Sequence, residues 1–284
     1  MITDKDTDMV FFSRYLFSYK CWESIRTFLD ACNVLWGLLP NTKDIWARDY
    51  MPIQISNERM VKYVYRPDYL KDDRYITDST DVCPELHREM QFTDTVLDGG
   101  NAVKCPNAIL MTDKIFKENP SYSRIRLINE IEELFQVELV IIPWDKYEDY
   151  GHADGMVRYI DDNHVLINNY CDFDKSFRNK LLSSLRPKFE VSELHYEAKR
   201  LSKYNWAYIN FLLTGDVMLI PELGIIEDEQ AYQQLCELYH VKLKPIDVRS
   251  IVAKGGALNC ISWNLKSNEE LMKYYLKLHK NWNR

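Results

Sequence analysis

The sequence contains little glycine, and most of that glycine lies beside reactive side chains. Only nine of its 284 residues are glycine. Glycine serves where the backbone needs a positive φ or must approach another group closely. Six of the nine lie in three segments that also carry an acid, a His-x-Asp pair or a cysteine: Asp98-Gly99-Gly100-Asn101, Gly151-His152-Ala153-Asp154-Gly155 and Gly255-Gly256-Ala257-Leu258-Asn259-Cys260. A fourth segment, Trp46–Pro52, carries Asp49. The pattern predicts a pocket that gathers a thiol, an imidazole and several carboxylates.

Other absences exclude whole classes of protein. No apolar run reaches the ~18 residues of a transmembrane helix, and the first eight residues lack the apolar region of a signal peptide. The seven cysteines are scattered and form no Cys-x-x-Cys pair, which argues against a zinc knuckle or a thioredoxin-type motif. We therefore expect a cytoplasmic protein. We also predict no metal site, because the remaining histidines stand isolated: His87, His164, His195, His240 and His279.

The charge balance limits the partners. A net charge of −7 and a pI near 5.5 argue against nucleic acid or an anionic membrane and are compatible with a cationic ligand. The 46% apolar and 28% charged content is that of a globular protein. No linker-like stretch divides the chain, so we predict one domain over residues 1–284.

Three stretches repeat one order of elements. Each has an amphipathic helix, a buried strand and a loop that ends at a candidate functional residue. The helices are expected near Cys21–Ala31, from Pro120 and around Ala231–Tyr239, and the strands near Val34–Leu39, Val137–Pro143 and Val241–Val248. Hairpins are predicted for Met156–Ile160 with His164–Asn168 and for Trp206–Leu213 with Val217–Pro221. Repeated ββαβ modules around a shared axis would explain this order, and one mixed α/β sheet with loops at one edge is the alternative.

The reactive residues suit covalent chemistry on a cation. A Cys260 thiolate can attack an sp² carbon, and His152 is a natural proton shuttle near neutral pH. The i, i+2 spacing of His152 and Asp154 in an extended segment would point both side chains the same way. Asp49 and Asp98, taken singly, fit a cap and a turn. Together, these groups could clamp a planar guanidinium and attack its central carbon.

Four motifs in this order resemble a known family. They are Trp-Ala-Arg-Asp-x-x-Pro, Asp-Gly-Gly-Asn, Gly-His-x-Asp-Gly-x-x-Arg-Tyr and Gly-Gly-Ala-Leu-Asn-Cys, and Tyr208-Ile209-Asn210-Phe211 adds a fifth match. The resemblance is to the agmatine deiminase and Porphyromonas-type peptidylarginine deiminase family of the guanidine-modifying superfamily. It implies the pentein fold, a five-bladed α/β propeller of ββαβ-type modules with the active site at its central axis. It also implies that no cofactor is needed.

The resemblance implies a role for each matching residue. Cys260 corresponds to the nucleophile, His152 to the general acid and base, and Asp98 to the acid that orients the histidine. Asp49 and Asp154 correspond to the carboxylates that grip the guanidinium. Residues inside the motifs are expected to shape the pocket or contact substrate: Trp46, Arg48, Arg158 and Asn101.

The implied function is hydrolytic deimination through a thiouronium intermediate. A small cationic guanidine is the expected partner, and agmatine, converted to N-carbamoylputrescine and ammonia for putrescine biosynthesis, is favoured over arginine in a protein or peptide. The chain departs from agmatine-specific enzymes, which have Glu-Gly-Gly-Ser in place of residues 98–101 and a different cysteine loop. Candidate acids for the second ammonium of agmatine are Asp44, Glu148 and Asp149.

Other functions stay open. An amidinotransferase would use the same residues, with an amine in place of water, and an inactive pentein-fold binding protein is a further alternative. A papain-like protease is disfavoured, because it needs an oxyanion hole and an amide orienter rather than carboxylates around the substrate carbon. A homodimer is possible.

Overall fold

Within residues 1–148, 150–198 and 200–282, which a computed structural model describes, fifteen strands form five sheets of three strands each. The sheet orders are β15-β1-β2, β3-β4-β5, β6-β7-β8, β11-β10-β9 and β12-β13-β14. The strands are β1 (Met9–Ser13), β2 (Leu35–Leu39), β3 (Ile53–Ser56), β4 (Arg59–Val64), β5 (Met90–Val96), β6 (Val103–Cys105), β7 (Ala108–Thr112), β8 (Glu138–Ile142), β9 (Val157–Asp161), β10 (His164–Ile167), β11 (Glu190–Glu193), β12 (Leu212–Leu213), β13 (Val217–Glu222), β14 (Lys242–Asp247) and β15 (Ser262–Leu265).

Helices connect and cover these sheets. None in the described ranges is long and apolar enough to span a membrane. The α-helices are α1 (Trp22–Ala31), α2 (Ala47–Tyr50), α3 (Ser79–Val82), α4 (Lys114–Glu118), α5 (Arg124–Phe135), α6 (Tyr170–Phe173), α7 (Lys175–Leu185), α8 (Glu227–Leu238), α9 (Arg249–Val252) and α10 (Glu269–Trp282).

Each sheet follows one plan. Its middle strand pairs antiparallel with one neighbour and parallel with the other. Parallel neighbours need a crossover, and α1, α5, α7 and α8 supply it in four sheets, whereas α3 and a 3-10 helix at Pro84–Glu89 supply it between β4 and β5. The predicted α/β fold built from ββαβ modules is therefore confirmed, and the single mixed sheet is wrong.

Two local predictions differ from the structure. Pro120 lies in a turn, and α5 begins at Arg124, where the Ser123 side chain caps it by accepting a hydrogen bond from the Arg126 N–H. Residues 206–213 form a 3-10 helix, Asn205–Ile209, and the short strand β12. This segment is buried along most of its length, and in a fully buried run apolar periodicity does not separate strand from helix.

In each sheet, a segment follows the strand that pairs parallel with the middle strand, and these segments contact one another. The helix α2 follows β2 and packs against a 3-10 turn at Gly99–Asn101, which follows β5. That turn packs against the 3-10 turn Ala153–Gly155 after β8, which packs against Asn205–Ile209 after β11. The fifth segment, after β14, carries Cys260. The candidate residues therefore come together because every module delivers its exit loop to the same place.

Candidate active site

The Cys260 thiol is buried and its backbone is held from two sides. Cys260 lies in the turn before β15. Its N–H donates to Asn210 Oδ1 at 3.2 Å, and its carbonyl accepts from the Arg48 N–H at 3.0 Å. Three modules therefore fix the position of this residue.

Asp154 faces the thiol. Its Oδ2 atom lies 3.9 Å from Cys260 Sγ and accepts a hydrogen bond from Asn259 Nδ2 at 2.5 Å. Its Oδ1 atom is buried and has no hydrogen-bond partner among the described residues. A buried carboxylate oxygen without a donor is costly, and a cationic N–H donor next to the thiol would satisfy it.

His152 lies between two carboxylates. Its Nε2 atom lies 2.9 Å from Asp98 Oδ2, and its Nδ1 atom lies 3.7 Å from Asp49 Oδ1. His152 itself is extended, but the next residues form a 3-10 turn, so the predicted extended His-x-Asp geometry is wrong. The turn nevertheless brings His152 and Asp154 to the wall of one cavity.

Gly100 explains why the chain places glycine here. Its N–H donates to Asp49 Oδ1 at 3.1 Å. A Cβ atom at Gly100 would lie 2.6 Å from His152 Nδ1 and 2.7 Å from Asp49 Oδ1. Any side chain at this position would displace the imidazole or the carboxylate.

The buried charges shift the ionisation of the imidazole and of Asp98. Burial by itself lowers the pKa of His152, but Asp49, Asp98 and Glu148 outweigh burial and raise the pKa to about 10. Burial by itself raises the pKa of Asp98, but the hydrogen bonds and charges of His152 and Lys114 lower it below its ordinary value. The two groups therefore form an ion pair at neutral pH.

On Asp49 and Cys260 the effect of burial prevails, and the pKa values of both groups are raised. Burial raises the pKa of Asp49 to about 7, against the attraction of His152 and with the repulsion of Asp98 and Asp154. Burial and the charges of Asp154 and Asp49 raise the pKa of the Cys260 thiol well above its ordinary value. The site without substrate therefore holds a neutral thiol, and a bound cation would favour the thiolate.

Two cavities meet at this cluster, and His152, Cys260, Tyr150, Lys254 and Gly255 line both. The first has a volume of about 670 Å³, and its lining includes Asp154, Glu148, Asp145 and the exposed aromatic side chains Tyr147, Phe173 and Tyr204. The second has a volume of about 360 Å³ and is lined by Asp44, Trp46, Asp49, Tyr65, Tyr69 and Tyr75, among others.

Four of the predicted site residues do not line either cavity: Asp98, Arg48, Asn101 and Arg158. Asp98 contacts His152, and Arg48 donates to Asn259 Oδ1. Asn101 Oδ1 accepts hydrogen bonds from the N–H and the hydroxyl of Thr112, both at 2.9 Å. Arg158 donates to the Phe211 carbonyl at 2.7 Å and to Asp4 Oδ2 at 3.0 Å. Both side chains therefore tie segments together beneath the pocket. Of the predicted acids for a second ammonium, Asp149 lies outside the described residues.

Two residues that contact the candidate reactive groups were not predicted to belong to the site. Asn259, which contacts Asp154, stands next to Cys260 in the sequence, and this adjacency was the available signal. Lys114 Nζ lies 2.9 Å from Asp98 Oδ2, but a lysine that opens a short helix gives no sign that it is buried.

His195 is not isolated, so that prediction is wrong. Its Nδ1 atom contacts Asp172 Oδ1 and lies 3.9 Å from Cys171 Sγ. These atoms could hold a metal ion, and they come together only because β11 brings residue 195 back to α6. The cluster is not part of the lining of the two cavities.

Known proteins share this architecture. The structure is similar to agmatine deiminase from C. jejuni (TM-score 0.72, 18% identity, 94% of this chain and 96% of that one). It is also similar to a putative arginine deiminase from Porphyromonas gingivalis (TM-score 0.75, 18% identity, 94% and 98%). A more distant likeness is to DDAH from Pseudomonas aeruginosa (TM-score 0.62, 11% identity, 91% and 99%). These structural similarities show that the chain has the same fold, and they confirm the resemblance to pentein proteins.

Sequence comparison identifies the family. No curated protein sequence matches the chain significantly. The profile of the Porphyromonas-type peptidyl-arginine deiminase family matches residues 20–265, which include every predicted site residue. The predicted enzyme class, a hydrolase of C–N bonds in linear amidines, is confirmed at the level of that family. The chain therefore belongs to the Porphyromonas-type peptidyl-arginine deiminase family.

Proposed function

We propose that the protein deiminates a guanidinium group by hydrolysis through a covalent adduct on Cys260. One observation carries this proposal: Asp154 has one buried oxygen without a donor and another 3.9 Å from the thiol sulfur. A guanidinium that pairs with Asp154 would thus place its central carbon beside the nucleophile. Asp49, on the other side of His152, is the second carboxylate available to the planar cation.

The first half of the reaction breaks a C–N bond. The Cys260 thiolate forms a C–S bond to the guanidinium carbon, and the imidazolium of His152 gives its proton to the departing nitrogen, which leaves as ammonia. The raised pKa of His152 keeps this proton in place at neutral pH. The positive charge of the substrate favours the thiolate by Coulombic attraction in the buried site.

The second half releases the product. The neutral imidazole takes a proton from a water molecule as the water oxygen bonds to the thiouronium carbon. The C–S bond then breaks, the remaining proton of the water passes to the departing sulfur, and a neutral ureido product remains beside the restored thiol. If an amine replaced this water, the protein would be an amidinotransferase.

Agmatine is our preferred substrate, since carboxylates lie beyond the guanidinium clamp in both cavities. Glu148 is partly buried in the wall of the first cavity, and burial raises its pKa. Asp44 lines the second cavity, where burial raises its pKa to about 6. A bound ammonium would favour the ionised form of either acid, so either one could receive the far end of agmatine.

Arginine in a peptide is the second candidate, and the shape of the first cavity favours it. A volume of about 670 Å³ is within the range of sites for much larger ligands than agmatine. Tyr147, Phe173 and Tyr204 are 81%, 50% and 41% exposed along this cavity. Exposed aromatic side chains offer contact area to a polypeptide.

Parallel assays of ureido product and ammonia, with agmatine, free arginine and a blocked arginine peptide, test these proposals. Asp49→Asn and Asp154→Asn should each lower kcat/KM by roughly 10²-fold or more, because each removes a charge-assisted partner of the guanidinium. Asp44→Asn should raise KM for agmatine and leave the peptide reaction unchanged. Glu148→Gln, which also removes a charge that favours the imidazolium of His152, should raise KM for agmatine more than KM for the peptide. Absence of ureido product with every guanidine would overturn the proposal, and a substituted guanidine formed with added amines would indicate the transferase.

A further inference from the structure

Lys114 carries a positive charge into the protein directly behind the Asp98–His152 pair. Its side chain is 1% exposed, and its Nζ atom lies 2.9 Å from Asp98 Oδ2. The same oxygen lies 2.9 Å from His152 Nε2. One carboxylate oxygen therefore joins the lysine to the imidazole.

Glu118 stands behind the lysine. It lies four residues further along α4, and its Oε1 atom is 2.9 Å from Lys114 Nζ. Its side chain is almost fully buried. The other groups that face the Lys114 ammonium are the Asp68 carboxylate, at 3.9 Å, and the Tyr69 ring, whose centroid is 4.8 Å away. Glu118, Lys114, Asp98 and His152 thus form a line of alternating charge.

The backbone beside His152 is built around the lysine stem. Gly151 has φ +74°, which side chains rarely tolerate. A Cβ atom on Gly151 would lie 2.5 Å from Lys114 Cδ. The lysine therefore constrains the position of His152 in two ways: through the main chain at Gly151 and through Asp98.

We propose that Lys114 and Glu118 are a pair of positioning residues that set the orientation and the charge of the His152 imidazole through Asp98. The inference deepens the proposed function and rests on it for its catalytic meaning. The Lys114 ammonium opposes the imidazolium, whereas the Glu118 carboxylate offsets part of that opposition. Substitutions that remove the charge of one or the other residue should therefore change the protonation of His152 in opposite directions.

Charges also reach His152 from other segments. Asp49, Asp98 and Glu148 all favour the imidazolium, and the rings of Tyr69 and Tyr150 lie 6.0 and 5.9 Å from the imidazole centroid. These groups stay unchanged in variants of α4. A change in the protonation of His152 in such variants therefore results from the substitution of Lys114 or Glu118.

NMR of histidine-labelled protein tests the inference without an activity assay. The His152 signals are assigned by their loss in His152→Gln. Near pH 10, about half of the wild-type imidazole should be protonated. We expect Lys114→Met to raise the ratio of imidazolium to imidazole by about tenfold and Glu118→Gln to lower it by a similar factor, as charges at this range in a partly polar interior would do. Lys114→Arg, which keeps the charge, should stay close to wild type.

Lys117→Met is the matched control, because Lys117 lies on the same helix but is 60% exposed. It should leave the ratio unchanged. Shifts of the same sign in Lys114→Met and Glu118→Gln, or no shift in either, would overturn the inference. If Lys114→Met does not fold, the sign of the change in Glu118→Gln decides the question.

The pH profile of kcat/KM separates this inference from the proposed function. If both hold, the limb of the profile that reports His152 should move up in pH for Lys114→Met and down for Glu118→Gln. The two variants could change the ratio of imidazolium to imidazole in opposite directions although the protein deiminates no guanidine. That result would support the positioning pair and overturn the proposed reaction.

Discussion

Asn259 holds the carboxylate that faces the thiol of the residue after it. Its Nδ2 atom lies 2.5 Å from Asp154 Oδ2, the oxygen that is 3.9 Å from Cys260 Sγ. Its Oδ1 atom accepts a hydrogen bond from Arg48 Nη2 at 3.0 Å. One amide thus links the cysteine loop to the Asp154 segment and to α2.

Asn259→Ala should lower kcat/KM by about 10- to 100-fold, because Asp154 loses the donor that orients it. Asn264→Ala is the matched control. Asn264 also accepts a hydrogen bond from Arg48 Nη2, at 3.2 Å, but its Nδ2 atom donates to the Leu213 carbonyl instead of to Asp154. Equal losses in the two variants would show that Arg48 is the important partner and that orientation of Asp154 is not.

Alkylation of Cys260 should depend on the charge of the reagent. Because burial and two carboxylates raise the pKa of the thiol, iodoacetamide should react slowly at pH 7 and faster as the pH rises. A cationic haloacetamidine should react at least tenfold faster at pH 7, since its charge pairs with Asp154 and favours the thiolate. Site-resolved mass spectrometry measures both rates.

Cys236 provides the internal reference for this experiment, because it is exposed. It should show no comparable preference for the cationic reagent. Equal selectivity at Cys236 and Cys260 would mean that the carboxylates do not attract the reagent. Loss of the Cys260 preference in Asp154→Asn would assign the attraction to that residue.

The folded protein should lose stability as His152 deprotonates. Its pKa in the folded state is about 10, above the ordinary value near 6.5, so this contribution is complete below pH 6.5 and disappears as the pH rises through 10. The free energy of unfolding of the wild type should fall relative to His152→Gln by at most about 1.4 kcal/mol per pH unit in this window. Urea unfolding at a series of pH values measures it, and a constant difference between the two proteins would contradict the shift.

Deimination should survive chelation of metals. The reacting groups of the proposed mechanism are a thiol, an imidazole and carboxylates, and the candidate ligands Cys171, Asp172 and His195 lie outside the lining of both cavities. Dialysis against EDTA followed by assay is the test. Loss of activity that zinc restores, and that Cys171→Ser reproduces, would give that cluster a part in the activity.

Local patterns were sufficient to predict the modules and to select candidate residues that the structure brings together. Leu127, Ile128, Ile131, Leu134 and Phe135 repeat at helical spacing, and the structure buries all of them on α5 except Ile128, which is partly buried. Cys260, His152 and Asp49 stood out because scarce glycine or a distinctive motif lies beside them, and the structure brings them to shared cavities.

What could not be predicted depends on contacts between distant segments. The burial of Lys114 follows from Asp98, sixteen residues away, and from Glu118 on its own helix. Cys171 meets His195 only after a parallel strand pairing. A charged side chain usually marks a surface position, but this rule was misleading for Lys114. The carboxylates of its partners stabilise the ammonium inside the protein, as hydration would at the surface.

The pairing of β1 with β15 has a consequence for the time at which the site forms. Phe12 pairs with Ser262, two residues beyond Cys260, so the thiol is anchored on a strand that is synthesised long before it. On the ribosome, the acids and the imidazole emerge well before the cysteine does. Until Ser262–Leu265 emerges, one edge of β1 stays unpaired and the site of the proposed nucleophile is incomplete. Completion of that sheet and acquisition of the reactive thiol are therefore a single late event.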